Sequence, residues 1–158
     1  MALDLTIRQT TIDDLPVLVE LNYALFQEDA GQRDPTLNLE WPRKHGHAYF
    51  ADLIASDTSA CLIAEIDGLA IGYLAGYTRE PSDLRPIKTA ELESMFVREA
   101  WRSRRVGEQL VQRFAEWAQA QGAQRISVTA YYANGRAVQF YQRVGFTPKH
   151  ITLEARLV

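Results

Sequence analysis

The chain has 158 residues, 47% of them hydrophobic, with 17 Lys and Arg against 20 Asp and Glu and a formal net charge of −3. This size suits one domain over residues 1–158 whose core needs neither disulfides nor metal. The acidic balance argues against the broad basic surface of a nucleic-acid-binding protein, and no apolar run reaches the roughly 20 residues of a membrane span.

The first half of the chain predicts one strand, two helices and a hairpin. Thr10 or Thr11 can cap the first helix, and Gly31 follows its apolar stripe. Asp67-Gly68 is a strong signal for a tight hairpin turn between two strands. The predicted elements are a strand at 5–8, helices from 13 to about 29 and from 40 to 56, a polar loop at 32–39 between them, and strands at 60–66 and 69–78.

The second half predicts alternating strands and helices. Strand–helix–strand connections are right-handed and make their two strands parallel. The expected fold class is therefore α/β, with a mixed, mostly antiparallel central sheet, a central parallel strand pair and helices on both faces. The predicted elements are strands at 88–97 and 125–130, helices at 107–121 and 134–144, and a final strand at 151–157.

The single cysteine, Cys61, lies in an apolar run at residues 60–64. One thiol forms no internal disulfide and suits a reducing compartment, and a small thiol in a strand is typically buried. The N-terminal residues lack the charged and apolar regions of a signal peptide, so a cytoplasmic protein is expected. His45 and His47 have no further ligands at metal-binding spacing, so no metal site is predicted.

A basic turn, Arg102-Ser-Arg-Arg-Val-Gly107, follows a predicted strand and opens an amphipathic helix. The first N–H groups of a helix are unpaired and carry the positive end of the dipole, so this position favours an anion. Three arginines favour a large anion such as a pyrophosphate, and Gly107 lets the backbone approach it closely. The alternative is a basic turn that is simply solvated.

A second motif reads Asn134-x-x-Ala137-x-x-x-Tyr141-x-x-x-Gly145-Phe146. Asn134 is a good helix N-cap, and Tyr141 lies two turns along the same helix. By itself the pattern is also that of a capped amphipathic helix with a core tyrosine.

In order and spacing, the two motifs resemble those of the GNAT superfamily of acetyl-CoA-dependent N-acetyltransferases. The resemblance implies acetyl-CoA as acyl donor, with its pyrophosphate at the basic turn, and Tyr141 as general acid toward the departing thiolate. Arg105 stands where the family usually has glycine, so its side chain must either turn to solvent or reach a phosphate. The cofactor-binding residues implied are Met95, Phe96, Val97, Arg102, Arg104, Arg105, Val106, Gly107, Glu108, Asn134, Ala137 and Phe140.

Glu91 and Glu93 lie two apart on one predicted strand, so alternation places both carboxylates on one face, opposite Leu92 and Phe96. An alkylamine with a pKa of about 10 is protonated at neutral pH and needs a base before it attacks a thioester. In the resemblance, Glu93 occupies the position of that base. Glu91 would assist or attract a cationic substrate, and both could equally be exposed strand carboxylates without a chemical role.

The resemblance implies an enzyme that acetylates a primary amine of a small molecule, with Phe26 and Trp41 lining the acceptor pocket. A protein N-terminal or lysine acetyltransferase ranks lower, because residues 127–132 do not resemble the Leu-Glu-Val-Arg run of ribosomal-protein acetyltransferases. A catalytically inert acyl-CoA-binding module would keep the basic turn and lose Glu93 or Tyr141, and this chain has both. A homodimer is left open.

Overall fold

A five-stranded sheet in the order β1-β2-β3-β4-β5 organises residues 3–158, the part of the chain that the computed structural model describes. Among these residues, no helix is long and apolar enough to cross a membrane. The strands are β1 Leu5–Gln9, β2 Ser59–Ile66, β3 Leu69–Arg79, β4 Thr89–Val97 and β5 Arg125–Val128. The helices are α1 Leu15–Glu28, α2 Ala30–Arg33, α3 Trp41–Ala55, α4 Val106–Ala120 and α5 Gly135–Arg143.

The strand pairing confirms the predicted mixed sheet. β1 to β4 pair antiparallel in sequence order, and β4 pairs parallel with β5 after the α4 crossover. At the β2–β3 hairpin, Asp67 and Gly68 have φ of 50° and 78°, the two positive values that a type I′ turn requires.

Helices cover both faces of the sheet, as predicted. On one face, α4 contributes Leu110 and Phe114, both fully buried against β2, β3 and β4. On the other, α1 and α3 contribute Leu18 and Phe50, which pack with Tyr73 of β3. The sheet is therefore the middle layer between two apolar clusters.

A β-bulge interrupts β4 at Glu93. The β3–β4 pairing passes from Ala75↔Ser94 to Gly76↔Leu92, so Glu93 is an extra residue on β4. A bulge shifts the alternation of the strand by one residue. Leu92 consequently packs on the α4 face and Phe96 on the α1–α3 face. The prediction that these two residues share a face is wrong, because it assumed an unbroken strand.

The predicted final strand at 151–157 is absent. Residues 147–158 adopt neither helix nor strand, and all of them are exposed. Alternating polarity alone does not make a strand, because the backbone N–H and C=O groups of a strand need a neighbouring strand to bond. The predicted loop at 32–39 also begins later than expected, since α2 continues to Arg33.

Gly76 is required by close packing between β3 and α4. A Cβ built on Gly76 would lie 2.5 Å from the Glu91 carbonyl oxygen and 2.5 Å from Phe114 Cζ. We expect Gly76→Ala to lower the free energy of unfolding by about 1–3 kcal/mol through overpacking, measured by urea denaturation. Gly135→Ala is the matched control, because nothing lies within 4 Å of its added Cβ. Equal stability of the two variants would contradict this close packing.

Candidate active site

A cleft of about 670 Å³ opens between β4, β5, the N-terminus of α4 and α5. It exists because β4 and β5 separate. Their parallel pairing ends at Leu92↔Val128, while β4 continues to Val97. From the bulge at Glu93 onward, the β4 edge that faces β5 has no strand partner, so its backbone groups are available to a ligand in the cleft.

Most of the predicted site residues lie around this one cleft. Both predicted catalytic side chains, Glu93 and Tyr141, line it. Four predicted residues do not line it: Phe26, Trp41, Glu91 and Arg104. The predicted cofactor-binding residues that line it are Met95, Phe96, Val97, Arg102, Arg105, Val106, Gly107, Glu108, Asn134, Ala137 and Phe140.

The basic turn has an unusual backbone. Ser103 and Arg105 have φ of 60° and 62°, in the left-handed region that costs an L-residue roughly 1–2 kcal/mol. This conformation accounts for glycine as the residue expected at position 105. The Arg105 side chain is 83% exposed and lies 4.0 Å from Glu108. The Arg105 side chain thus extends into solvent at the margin of the cleft.

Arg102 joins the turn to its neighbouring strand and helix by hydrogen bonds. Its Nε donates to the Val97 carbonyl oxygen at 2.8 Å, and its terminal nitrogen donates to a Glu28 carboxylate oxygen at 2.7 Å. The guanidinium thus links β4, the turn and the end of α1. Arg104 instead lies over the Trp101 ring at 5.1 Å from its centroid.

Gly107 of α4 faces Phe140 of α5. An added Cβ would be 3.1 Å from Phe140 Cζ and 3.7 Å from Met95 Cε. Because Val106 is the first residue of α4, the N–H groups of this first helical turn have no carbonyl partner within the helix. Glycine therefore serves two needs here, close helix packing and access to the unpaired backbone donors.

Asn134 has both of its polar side-chain atoms engaged. Its Oδ1 accepts from the Ala137 backbone N–H at 3.1 Å, which confirms the predicted N-cap of α5. Its Nδ2 donates to Asp29 Oδ1 at 3.0 Å, and the same oxygen accepts from Arg33 at 3.0 Å. Asn134 therefore fixes α5 to the α1–α2 junction across the cleft.

Tyr141 is largely buried on the cleft wall, with its ring packed edge-on against Phe140 and Phe146. Burial, with a smaller contribution from the negative charge of Asp29, raises the pKa of its phenol to about 12. Among residues 3–158, no group hydrogen-bonds to its hydroxyl. The hydroxyl is therefore protonated at neutral pH and available as a donor.

Glu93 accepts a hydrogen bond from the Tyr49 hydroxyl of α3. Burial of Tyr49 raises the pKa of its phenol well above the usual range, and the hydrogen bond to Glu93 and its negative charge raise it further. The phenol therefore stays protonated and remains a donor. The sequence reasoning missed Tyr49, because 44 residues separate it from Glu93 and no local pattern connects the two.

An aromatic row leads from α1 to Glu93. Phe26 stacks on Trp41 with ring centroids 6.2 Å apart, and Trp41 meets Tyr49 edge-on at 5.4 Å. Phe26 and Trp41 thus lie on the side of Glu93 that faces α1 and α3. Glu91 is instead paired with Arg79 at 2.7 Å.

Sequence reasoning also missed one wall of the cleft. Val128, Thr129 and Ala130 line it at the carboxyl end of β5, and the general tendency of ligands to bind at the carboxyl ends of parallel strands could have indicated them. The end of α1, with Glu28 and Asp29, forms the other wall. Its contacts with Arg102 and Asn134 join it to the basic turn and to α5.

Cys61 is remote from the cleft and 2% exposed. Burial raises the pKa of its thiol to about 12, so the reactive thiolate is scarce.

We expect Cys61→Ala to keep turnover within about twofold of wild type, since an inert buried thiol takes no part in the chemistry. We also expect thiol reagents to leave the native chain unlabelled, by mass spectrometry. Rapid labelling, or loss of turnover in a folded Cys61→Ala variant, would instead favour a covalent acyl-cysteine route.

Comparisons with known sequences identify the family of the chain. The family model described as the acetyltransferase (GNAT) family matches residues 23–146. An uncharacterised N-acetyltransferase of Methanocaldococcus jannaschii is 27% identical over 146 residues, covering 92% of this chain and 62% of that protein. Another, from Archaeoglobus fulgidus, is 30% identical over 93 residues, covering 59% of this chain and 63% of that protein. The chain thus spans less than two thirds of the length of these relatives.

Solved structures share the fold. Aminoglycoside N-acetyltransferase AAC(6')-Iy in complex with CoA has a TM-score of 0.79 at 22% identity, covering 99% of this chain and 96% of that one. An aminoglycoside acetyltransferase from an uncultured soil metagenomic sample, in complex with sisomicin, has a TM-score of 0.72 at 16% identity, covering 98% and 95%. At these identities the likeness concerns the fold. By the family match over most of its length, the chain belongs to the acetyltransferase (GNAT) family.

Proposed function

We propose that the protein transfers the acetyl group of acetyl-CoA directly to a primary amine of a small molecule. The observation that carries this proposal is that one cleft is lined by Glu93, by Tyr141 and by the first turn of α4. A base, a proton donor and an anion-binding helix terminus thus share one space.

The chain's own groups fit the shape of the acyl donor. Unpaired N–H groups at the start of α4 would bind the pyrophosphate, and the dipole of this helix adds to the attraction. The unpaired backbone groups of β4 from Met95 to Val97 would hydrogen-bond to the polar arm of acetyl-CoA that follows the pyrophosphate. Tyr141 would face the sulfur, since its hydroxyl has no acceptor among the described residues.

The protein contributes to the transfer in three ways. Glu93 accepts a proton from the substrate ammonium, directly or through a water, so that the nitrogen lone pair can attack the thioester carbonyl carbon. A backbone N–H of β4 between Met95 and Val97 stabilises the negative charge that develops on the carbonyl oxygen. Tyr141 donates a proton to the sulfur as the carbon–sulfur bond breaks, and the second proton that the nitrogen loses on becoming an amide restores the Tyr141 phenol.

A small-molecule acceptor is supported by two observations. The structural neighbours named as aminoglycoside acetyltransferases act, by those names, on small amines. In this chain the aromatic row of Phe26, Trp41 and Tyr49 ends at the Glu93 carboxylate. Rings beside a carboxylate favour an organic cation, through cation–π and charge interactions together.

A screen of amines with acetyl-CoA, with free thiol release as the readout, tests the proposal. The panel contains polyamines, aminoglycosides and amino-acid amides, with peptides that present a free α-amine or lysine as the comparison set. We expect a small amine to stimulate thiol release above the amine-free rate. Stimulation by peptides alone would support a protein acetyltransferase, and acetyl-CoA binding without stimulation by any amine would support an inert binding module.

A further inference from the structure

Glu93 occupies the position on β4 where the strand itself fixes a side chain least. It is the extra residue of the bulge, so no residue of β3 lies directly opposite it. It is also exposed, and an exposed glutamate side chain is free to exchange among several rotamers. A general base must lie within hydrogen-bond reach of the proton that it takes. The carboxylate of Glu93 therefore needs a contact from outside the strand to hold it in place.

Tyr49 of α3 supplies such a contact. Its hydroxyl donates to Oε2 of Glu93, and among residues 3–158 no group donates to Oε1. The ring of Tyr49 meets Trp41 and Phe50 of its own helix edge-on, with ring centroids 5.4 and 5.1 Å away. Because this packing sets the two torsions of the tyrosine side chain, the position of its hydroxyl is set as well.

A second tyrosine holds the residue that follows Glu93. The hydroxyl of the fully buried Tyr73 donates to Ser94 Oγ at 3.0 Å and accepts from Asn22 Nδ2 at 2.8 Å. Two successive residues of β4 thus contact tyrosine hydroxyls on the α1–α3 side of the sheet. A regular strand points successive side chains to opposite faces, so this arrangement depends on the bulge. The bulge therefore brings Glu93 to the side of the sheet where Tyr49 can reach it.

We infer that Tyr49 is the positioning residue of the base, an inference that rests on the role proposed above for Glu93. Its hydrogen bond occupies Oε2 and leaves Oε1 to take the proton of the substrate ammonium. Tyr49 does not line the cleft, so it acts through Glu93 and does not touch the reacting atoms. A phenol suits this task because it is neutral, and the carboxylate keeps the negative charge that attracts an ammonium.

Steady-state kinetics of Tyr49→Phe and Glu93→Gln, singly and together, test the inference with acetyl-CoA and the amine of the above panel that releases thiol fastest. Phenylalanine keeps the contacts with Trp41 and Phe50 and removes only the hydroxyl. We expect Tyr49→Phe to lower kcat by about tenfold or more, with the amine KM within about twofold of wild type, because the base is misplaced while the amine site is intact. In the Glu93→Gln background the same substitution should change kcat by less than about twofold, because no base remains to be positioned.

Tyr23→Phe is the matched control. The Tyr23 hydroxyl also donates to a glutamate, Glu40, at 3.3 Å, but neither residue lines the cleft. Its kcat should stay within about twofold of wild type, as for a group outside the reacting centre. The melting temperature of every variant is measured, to verify that each one folds.

Wild-type kcat in Tyr49→Phe would overturn the inference, and so would an equal fold-loss in the wild-type and Glu93→Gln backgrounds, which a general effect on the fold produces. A rise in the amine KM at unchanged kcat would also overturn it, because Tyr49 would then bind the substrate instead of holding the base. The proposed function is judged separately, by the amine panel and by Glu93→Gln alone. If no amine is acetylated, or if that single variant is fully active, the base is rejected and the inference with it.

Discussion

Glu93→Gln is expected to lower turnover by roughly a hundredfold or more, the usual contribution of a general base. Glutamine keeps the size of the side chain and still accepts a hydrogen bond from Tyr49, so the bulge in β4 and the cleft should keep their geometry. What is lost is the ability to take a proton from the substrate ammonium. Affinity for acetyl-CoA should stay near that of wild type.

Glu91→Gln is the matched control for this variant. Glu91 lies on the same strand, but its carboxylate is paired with Arg79 and does not line the cleft. We expect turnover within about threefold of wild type for a group outside the reacting centre. The Glu93→Gln deficit should shrink as the pH rises toward the amine pKa of about 10, where the substrate is already deprotonated. Equal activity of Glu93→Gln and wild type across this pH range would show that Glu93 has no part in proton transfer.

Tyr141→Phe is expected to lower the rate constant by roughly ten- to a thousandfold with little change in the substrate KM, as for an interaction made mainly in the transition state. Phenylalanine keeps the packing against Phe140 and Phe146 and removes only the proton donor. Because burial raises the pKa of Tyr141 to about 12, the phenol stays neutral as the pH rises past its usual value. Its ionisation should therefore not limit the wild-type rate until the pH approaches 12.

Tyr132→Phe serves as the control, since Tyr132 is 82% exposed and does not line the cleft. Steady-state kinetics and melting temperature are measured for both variants. A large loss of stability in Tyr141→Phe would mean that the hydroxyl satisfies a buried partner. Full activity would leave the departing thiolate to be protonated by water and would remove Tyr141 from the mechanism.

Sequence patterns predicted much of the fold because helices and strands of this chain follow their hydrophobic periods. α3, α4 and α5 begin and end within one residue of the prediction, and Asn134 caps α5 as expected. The fold class is confirmed, including the parallel β4–β5 pair. The prediction failed where a strand departs from strict alternation, so Leu92 and Phe96 lie on opposite faces.

The sequence predicted less of the candidate site than of the fold, because the contacts of the site join distant parts of the chain. Gly107 and Tyr141 carry local motifs, so the sequence could indicate them. Tyr49 and Glu28 carry none, and only the packing of α1 and α3 against the sheet brings them to Glu93 and Arg102. The prediction of a final strand at 151–157 is wrong for a third reason, since alternating polarity favours a strand without specifying the neighbouring strand that would pair with it.

Calorimetric titration of acetyl-CoA into wild type and Gly107→Glu tests whether the first turn of α4 binds the acyl donor. Glutamate would place a carboxylate and a bulky chain where the first turn of α4 meets the cleft, and Gln119→Glu adds the same charge at the exposed far end of that helix. The melting temperature of each variant without ligand is measured first, to verify folding. We expect binding to wild type and Gln119→Glu, with binding to Gly107→Glu abolished. Unchanged affinity in a folded Gly107→Glu variant would contradict a role of this turn in binding the acyl donor.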